Sequence, residues 1–100
     1  MEIQEALGKA FAKARRSAKL TQEDFEPISP RTYISHLERG LSAPTIVKLD
    51  QLANVMGIHA VTLLFQAYLQ LDKHPDPLQL MATIIEDSKK INTFENDFEI

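Results

Sequence analysis

Between Ser29 and Gly40 the sequence Ser-Pro-Arg-Thr-Tyr-Ile-Ser-His-Leu-Glu-Arg-Gly has room for one short helix. Pro30 suits the start of that helix, because its fixed φ fits the first turn and its missing N–H would have gone unused there. Ser29 reads as the cap before it, and Gly40 as the stop after Arg39. Ile34 and Leu37, three positions apart, share a face and point into a core. Arg31, Thr32, Ser35 and His36 fall on the opposite face, and all four side chains can hydrogen-bond. The rest of the chain must therefore cover one side of this helix and leave the other open.

The flanking segments supply helices to do so. Ile3, Leu7, Ala10, Phe11 and Ala14 recur at helical spacing and predict a first amphipathic helix to about Lys19. Thr21 reads as the cap of a second, with Asp24 in the reciprocal position and Glu23 beside it to suit the helix dipole. Pro27 keeps that second helix short and disfavours helical geometry at Glu26. Ala43-Pro44-Thr45 opens a fourth helix with an apolar stripe of Ile46, Leu49, Ala53 and Met56, closed by Gly57. A fifth, over residues 60–71, carries Val61, Leu64, Phe65, Tyr68 and Leu69. His74-Pro75-Asp76-Pro77 breaks the pattern before a sixth helix from about Leu78 to Lys90. The last ten residues are acidic, with Phe94, Phe98 and Ile100 among them. No strand pattern or internal repeat appears. The expectation is an all-α protein: a helical domain over 1–71, a linker and C-terminal helix over 72–90, and an acidic tail over 91–100 that is either disordered or docked across a dimer.

A chain of 100 residues with 44% hydrophobic side chains suffices for a single small core, burying roughly two-thirds of its unfolded surface. The absence of cysteine removes disulfides and thiolate metal sites from consideration. No apolar run approaches the ~20 residues of a membrane span, and the acidic start Met1-Glu2-Ile3-Gln4-Glu5 does not read as a secretion signal. A soluble, cytoplasmic protein without a membrane partner is expected. Net charge is −3, unevenly spread: residues 1–45 hold seven Lys/Arg against six acids, and residues 46–100 four against eight. A modestly basic face on an acidic body suits selective contact with a few phosphates. It suits no such contact equally well, and charge alone decides nothing.

Other chemistries find little support. His36, His59 and His74 are separated, without nearby cysteine or paired carboxylates, and make no metal constellation. Ser29 and Ser35 have no histidine and acid arranged for nucleophilic attack. Gly8, Gly40 and Gly57 make no phosphate-cradling loop. No catalytic residues, cofactor or metal are expected.

The ordered positions Leu7, Arg15, Gln22, Phe25, Ile34, Ser35, Leu37-Glu38-Arg39-Gly40, Pro44, Leu52-Ala53, Met56-Gly57 and Leu63-Leu64 resemble the Xre family of phage repressor and Cro-type regulators. The resemblance covers residues 7–64. It implies a five-helix DNA-binding domain with a helix-turn-helix, here followed by an extra C-terminal helix. By it, the helix at 30–39 would enter the major groove, with Arg31, Thr32, Ser35 and His36 at base edges. Gln22, Tyr33, Arg39 and Thr45 would meet the backbone, Gln22 also bracing the reading helix. Arg15 and Glu38 would form a structural ion pair between the first helix and the end of the third. Physical chemistry is consistent with these roles: an arginine near a helix start can hold guanine bidentately, and a threonine methyl can meet that of thymine. For His36 a plain surface position is the alternative, and for Tyr33 packing against the second helix. The chain departs from the family at Glu26-Pro27-Ile28-Ser29-Pro30. This segment lacks the usual alanine and turn glycine and is shorter than in most members, which bears on the docking angle; Ile28 is expected to plug the core there.

The last third holds more apolar surface than the core requires. Phe65, Tyr68, Leu69, Leu78, Met81 and Ile84 either fold back on their own domain or pair with a second copy, and pairing into a twofold dimer is the favoured reading. The expected function is a sequence-specific DNA-binding transcription regulator of a bacterium or phage, a dimeric repressor on an inverted repeat of double-stranded DNA. The alternative is an antitoxin or adaptor whose C-terminal segment clamps a partner protein.

Overall fold

The computed structural model describes residues 1–71 and 76–91. Helix α1 spans Ile3–Ser17, a single 3-10 turn Gln22–Phe25, and α2 Arg31–Glu38. Then follow α3 over Ile46–Met56, α4 over Ala60–Leu71 and α5 over Pro77–Ile91. The described residues contain no strand, and the fold is the expected all-α helix-turn-helix arrangement. Among them, no single helix is long and apolar enough to cross a membrane. Residues 72–75, with the break at His74-Pro75, and the tail with Phe94, Phe98 and Ile100 lie outside the described residues.

The core gathers one apolar face from every element up to α4. Phe11, Phe25, Ile34, Leu37, Leu52 and Leu63 are fully buried, each such side chain worth about 1.5–3 kcal/mol on removal from water. The Phe11 and Phe25 rings lie 5.2 Å apart at 45°, a tilted pairing suited to their quadrupoles. Ile28 packs half-buried against this core from the turn.

The segment from Thr21 to Pro30 is tight. Asp24 reaches back so that its carboxylate accepts from the Thr21 N–H at 2.7 Å. The second helix is one 3-10 turn because Glu26, preceding a proline, takes the extended conformation at φ −69°, ψ 143°. Ser29 does not cap α2. Its N–H donates to the Phe25 carbonyl at 3.1 Å, and the residue is 2% exposed. Pro30 occupies the cap position, and its carbonyl accepts from Tyr33 and Ile34 at 3.0 and 3.2 Å.

A second departure concerns α3, whose inner face is Leu49, Leu52, Ala53 and Met56, while Ile46 is 86% exposed. As the first helical residue, Ile46 projects back past the helix end and beyond the core. Thr45 caps α3 by accepting the Lys48 N–H on Oγ1 at 3.1 Å.

Three helices end in the same way, with a left-handed residue and a bond closing back over it. Leu20 donates to Arg15, Leu41 to His36 and Ile58 to Ala53, at 3.1, 2.9 and 3.1 Å. The left-handed residues are Lys19 (φ 61°), Gly40 (φ 77°) and Gly57 (φ 72°). Lysine lacks glycine's freedom at positive φ, which costs about 1–2 kcal/mol. Lys19→Gly is therefore expected to stabilise the protein by about 0.5–1 kcal/mol after the flexibility it adds to the unfolded chain. A thermal unfolding midpoint equal to or below that of the parent would contradict this.

Helix α5 lies beside α4 across shallow apolar clefts lined by Val61, Phe65 and Tyr68 on one side and Leu80, Met81 and Ile84 on the other. None of its own residues is buried. Leu78 is 78% exposed, and Met81, Ile84 and Ile85 are each more than 40% exposed.

Candidate nucleic-acid interface

What holds α2 in place is read most easily from α1. Gln4, Gly8, Phe11 and Arg15 fall at spacings of four, three and four, on one face of α1. That face follows the C-terminal end of α2. Gln4 donates through Nε2 to the Gly40 carbonyl at 2.8 Å. Gly8 lets the two backbones meet: a Cβ there would lie 2.9 Å from the Glu38 carbonyl oxygen and nearer still to that of Leu37. Phe11 enters the core, and Arg15 binds the Glu38 side chain.

That last contact is a bidentate ion pair. Arg15 Nε donates to Glu38 Oε2 at 2.6 Å and a terminal nitrogen to Oε1 at 3.0 Å. The other terminal nitrogen donates to the Leu20 carbonyl at 2.9 Å. Gln22 completes the cluster, its Nε2 donating to Glu38 Oε1 at 3.0 Å. The two charged side chains are only 13% and 7% exposed. The hydrogen bonds to Glu38 hold the Arg15 pKa above its ordinary value, outweighing the opposing effect of burial. α1, the 3-10 turn and α2 are thereby joined at one point. From the other side, Lys48 of α3 donates through Nζ to the Ile28 carbonyl at 2.9 Å, fixing the turn that leads into α2.

The opposite face of α2 carries the polar residues. Arg31, Thr32 and His36 are exposed, and Ser35 is half-buried. Arg31 Nε lies 2.6 Å from Glu23 Oε1 of the 3-10 turn. Arg39 folds back so that its Nε donates to the Ser35 carbonyl at 3.3 Å. The two arginines thus flank the exposed face, their Cα atoms roughly 12 Å apart along the axis at the usual helical rise. Tyr33 packs half-buried against the core. Burial pushes its phenol pKa above the ordinary value, so near neutral pH the hydroxyl is a neutral donor rather than an anion. Thr45 is exposed at the start of α3, its hydroxyl engaged in the cap.

Of the residues singled out in the sequence, Arg15, Gln22 and Glu38 meet in one cluster, and Arg31, Thr32, Ser35 and His36 share α2. Phe65, Tyr68, Leu69, Leu78, Met81 and Ile84 belong to α4 and α5 instead. Four contributors were not anticipated: Gln4, Gly8, Lys48 and the pairing of Glu23 with Arg31. A glycine inside a helical pattern costs about 1 kcal/mol relative to alanine, which is itself a signal of close approach. For Lys48 and Glu23 no local signal exists, because their partners are distant or newly juxtaposed by the turn.

A short helix clamped on its inner side, with a polar outer face and an arginine near each end, defines a class: small helical proteins that present one helix to a nucleic-acid groove. The helix-turn-helix family model matches residues 11–63. The chain is 40% identical over 65 residues, 63% of its own length and 84% of the relative's, to y4dJ of Sinorhizobium fredii (strain NBRC 101917 / NGR234), named as an uncharacterized HTH-type transcriptional regulator. The protein belongs to the Xre-type helix-turn-helix family.

Proposed function

We propose that this DNA-binding helix-turn-helix regulator is a dimeric repressor that occupies an inverted-repeat operator and blocks transcription by its presence there. The observation that carries this reading is α2 itself, buried at Ile34 and Leu37 and exposed at Arg31, Thr32 and His36. In the major groove Arg31 takes guanine, Thr32 offers a methyl to thymine, and Ser35 and His36 supply further donors. Gln22 has a second amide N–H for a phosphate beyond the one given to Glu38. Tyr33, Arg39 and Thr45 contact the backbone beside it, where such contacts set register rather than sequence. Dimerisation is supported by α5, whose apolar Leu78, Met81 and Ile84 remain exposed. A second copy related by a twofold axis would cover them and place two reading helices on one duplex face.

Selection of binders from random duplex DNA near physiological salt tests the reading. The expected result is an enriched inverted repeat with half-sites about one helical turn apart. In Arg31→Ala the preference at one base pair of each half-site is expected to fall by about 1–3 kcal/mol. Weak binding with a steep salt dependence and no enriched sequence would overturn it. The exposed face of α5 would then favour the alternative, a module that clamps a partner protein.

A further inference from the structure

The 3-10 turn brings an acid to the first residue of α2. Glu23 Oε1 lies 2.6 Å from Arg31 Nε, and the two side chains are 58% and 62% exposed. So open an ion pair adds little to folding, and neither residue belongs to the core. The pair does, however, put a carboxylate at the edge of the face that carries the polar side chains of α2. Beside a polyanion such a carboxylate is repelled unless a cation accompanies it.

Its position relative to the guanidinium supplies a use. An arginine side chain has many rotamers, and ordering them opposes any contact it makes. A carboxylate at Nε restrains the side chain and leaves the terminal nitrogens for another acceptor. Those two nitrogens form the fork that matches O6 and N7 of guanine. We propose that Glu23 is a specificity-determining positioning residue: it presets Arg31 for guanine, and its charge penalises DNA that gives Arg31 no such partner. This rests on the reading of α2 as the groove helix. It deepens that reading by naming guanine as the base opposite the start of α2 and by assigning its selection to two residues rather than one.

The effect on sequence preference and the effect on affinity should have opposite signs. In Glu23→Gln the shape is kept and the charge removed, so Arg31 is less restrained while repulsion from phosphate is relieved. Guanine preference at that position is expected to fall by about two- to fivefold, the most that an ion pair so exposed can supply. Binding to random duplex is expected to tighten, by roughly two- to fivefold for one surface charge at this range. In Arg31→Ala both preference and affinity fall, since Glu23 is left without its cation. Adding Glu23→Gln to Arg31→Ala is expected to return affinity but not preference. A role confined to stability would move the melting midpoint and leave the base preference alone.

The experiment is competition binding of the four proteins to guanine-containing and substituted duplexes at fixed salt, with thermal unfolding alongside. Reduced preference with tighter random-duplex binding in Glu23→Gln, at an unchanged midpoint, supports the proposal. Full guanine preference in Glu23→Gln overturns it while leaving the groove reading intact. An unchanged base preference in Arg31→Ala overturns the groove reading itself, and the proposal with it.

Discussion

Arg15→Ala is expected to destabilise the protein by about 3–5 kcal/mol, because it strands a carboxylate that is almost withdrawn from water. Glu38 would keep only Gln22 as a donor, at 3.0 Å, and the Leu20 carbonyl would lose its bond from Arg15 at 2.9 Å. Domains of this size have about 5–15 kcal/mol in total, and each kilocalorie is worth about 4–8 °C in melting midpoint. The variant should therefore melt at least ~12 °C lower, by circular dichroism, or fail to fold at all. Exchanging both partners for apolar residues, as in Arg15→Met with Glu38→Leu, is expected to recover most of the loss, since no charge is then left behind. An Arg15→Ala protein melting cooperatively at the parental temperature would rule the clamp out.

Gly8→Ala is expected to destabilise the protein, although it replaces a poor helix former with the best one. Alanine inside a helix gains about 0.5–1 kcal/mol over glycine. Against that, the new Cβ would press on the Leu37 and Glu38 carbonyls, and backbone cannot rotate away as a side chain does. Overpacking of this kind costs about 1–3 kcal/mol and occasionally more, so a net loss of about 1–2 kcal/mol follows. Gly57 provides the control. Nothing lies within 4 Å of a Cβ built there, and Gly57→Ala should cost only the ~1 kcal/mol of a left-handed residue. Chemical denaturation of the two variants separates steric from conformational need for glycine. A Gly8→Ala protein as stable as the parent would mean that the helices can move apart freely.

Much of this was legible in the sequence because the signals are local. Helical spacing gave α1 and α4, and Thr45 and Gly57 bracketed α3 as cap and stop. Arg15 and Glu38 were legible only through resemblance, since nothing at either position announces a partner 23 residues away. The errors are of two kinds. Ile46 has the right spacing for the core stripe, but at a helix start there is no neighbouring element to receive it. Ser29 has the right chemistry for a cap, yet α2 begins one residue too late for it: Pro30 holds the cap position and Ser29 is buried in the turn. Gln4 and Lys48 were missed because their partners are backbone carbonyls of other elements, and every residue has a carbonyl; Gly8 interrupts a helical pattern, but that signal does not name the carbonyls it faces. Which one lies in reach is decided only when the helices pack.

The two faces of α2 answer to different demands. Ile34, Leu37 and Glu38 are held by core, backbone or ion pair, whereas Thr32 and His36 are exposed and Arg31 touches only an exposed acid. Surface substitutions usually change stability by less than about 0.5 kcal/mol, so the outer face can drift without threatening the fold. In a lineage of duplicated copies, targets could then diverge one side chain at a time, each intermediate still folding. The inner face allows no such wandering, and the architecture would outlast many changes of address.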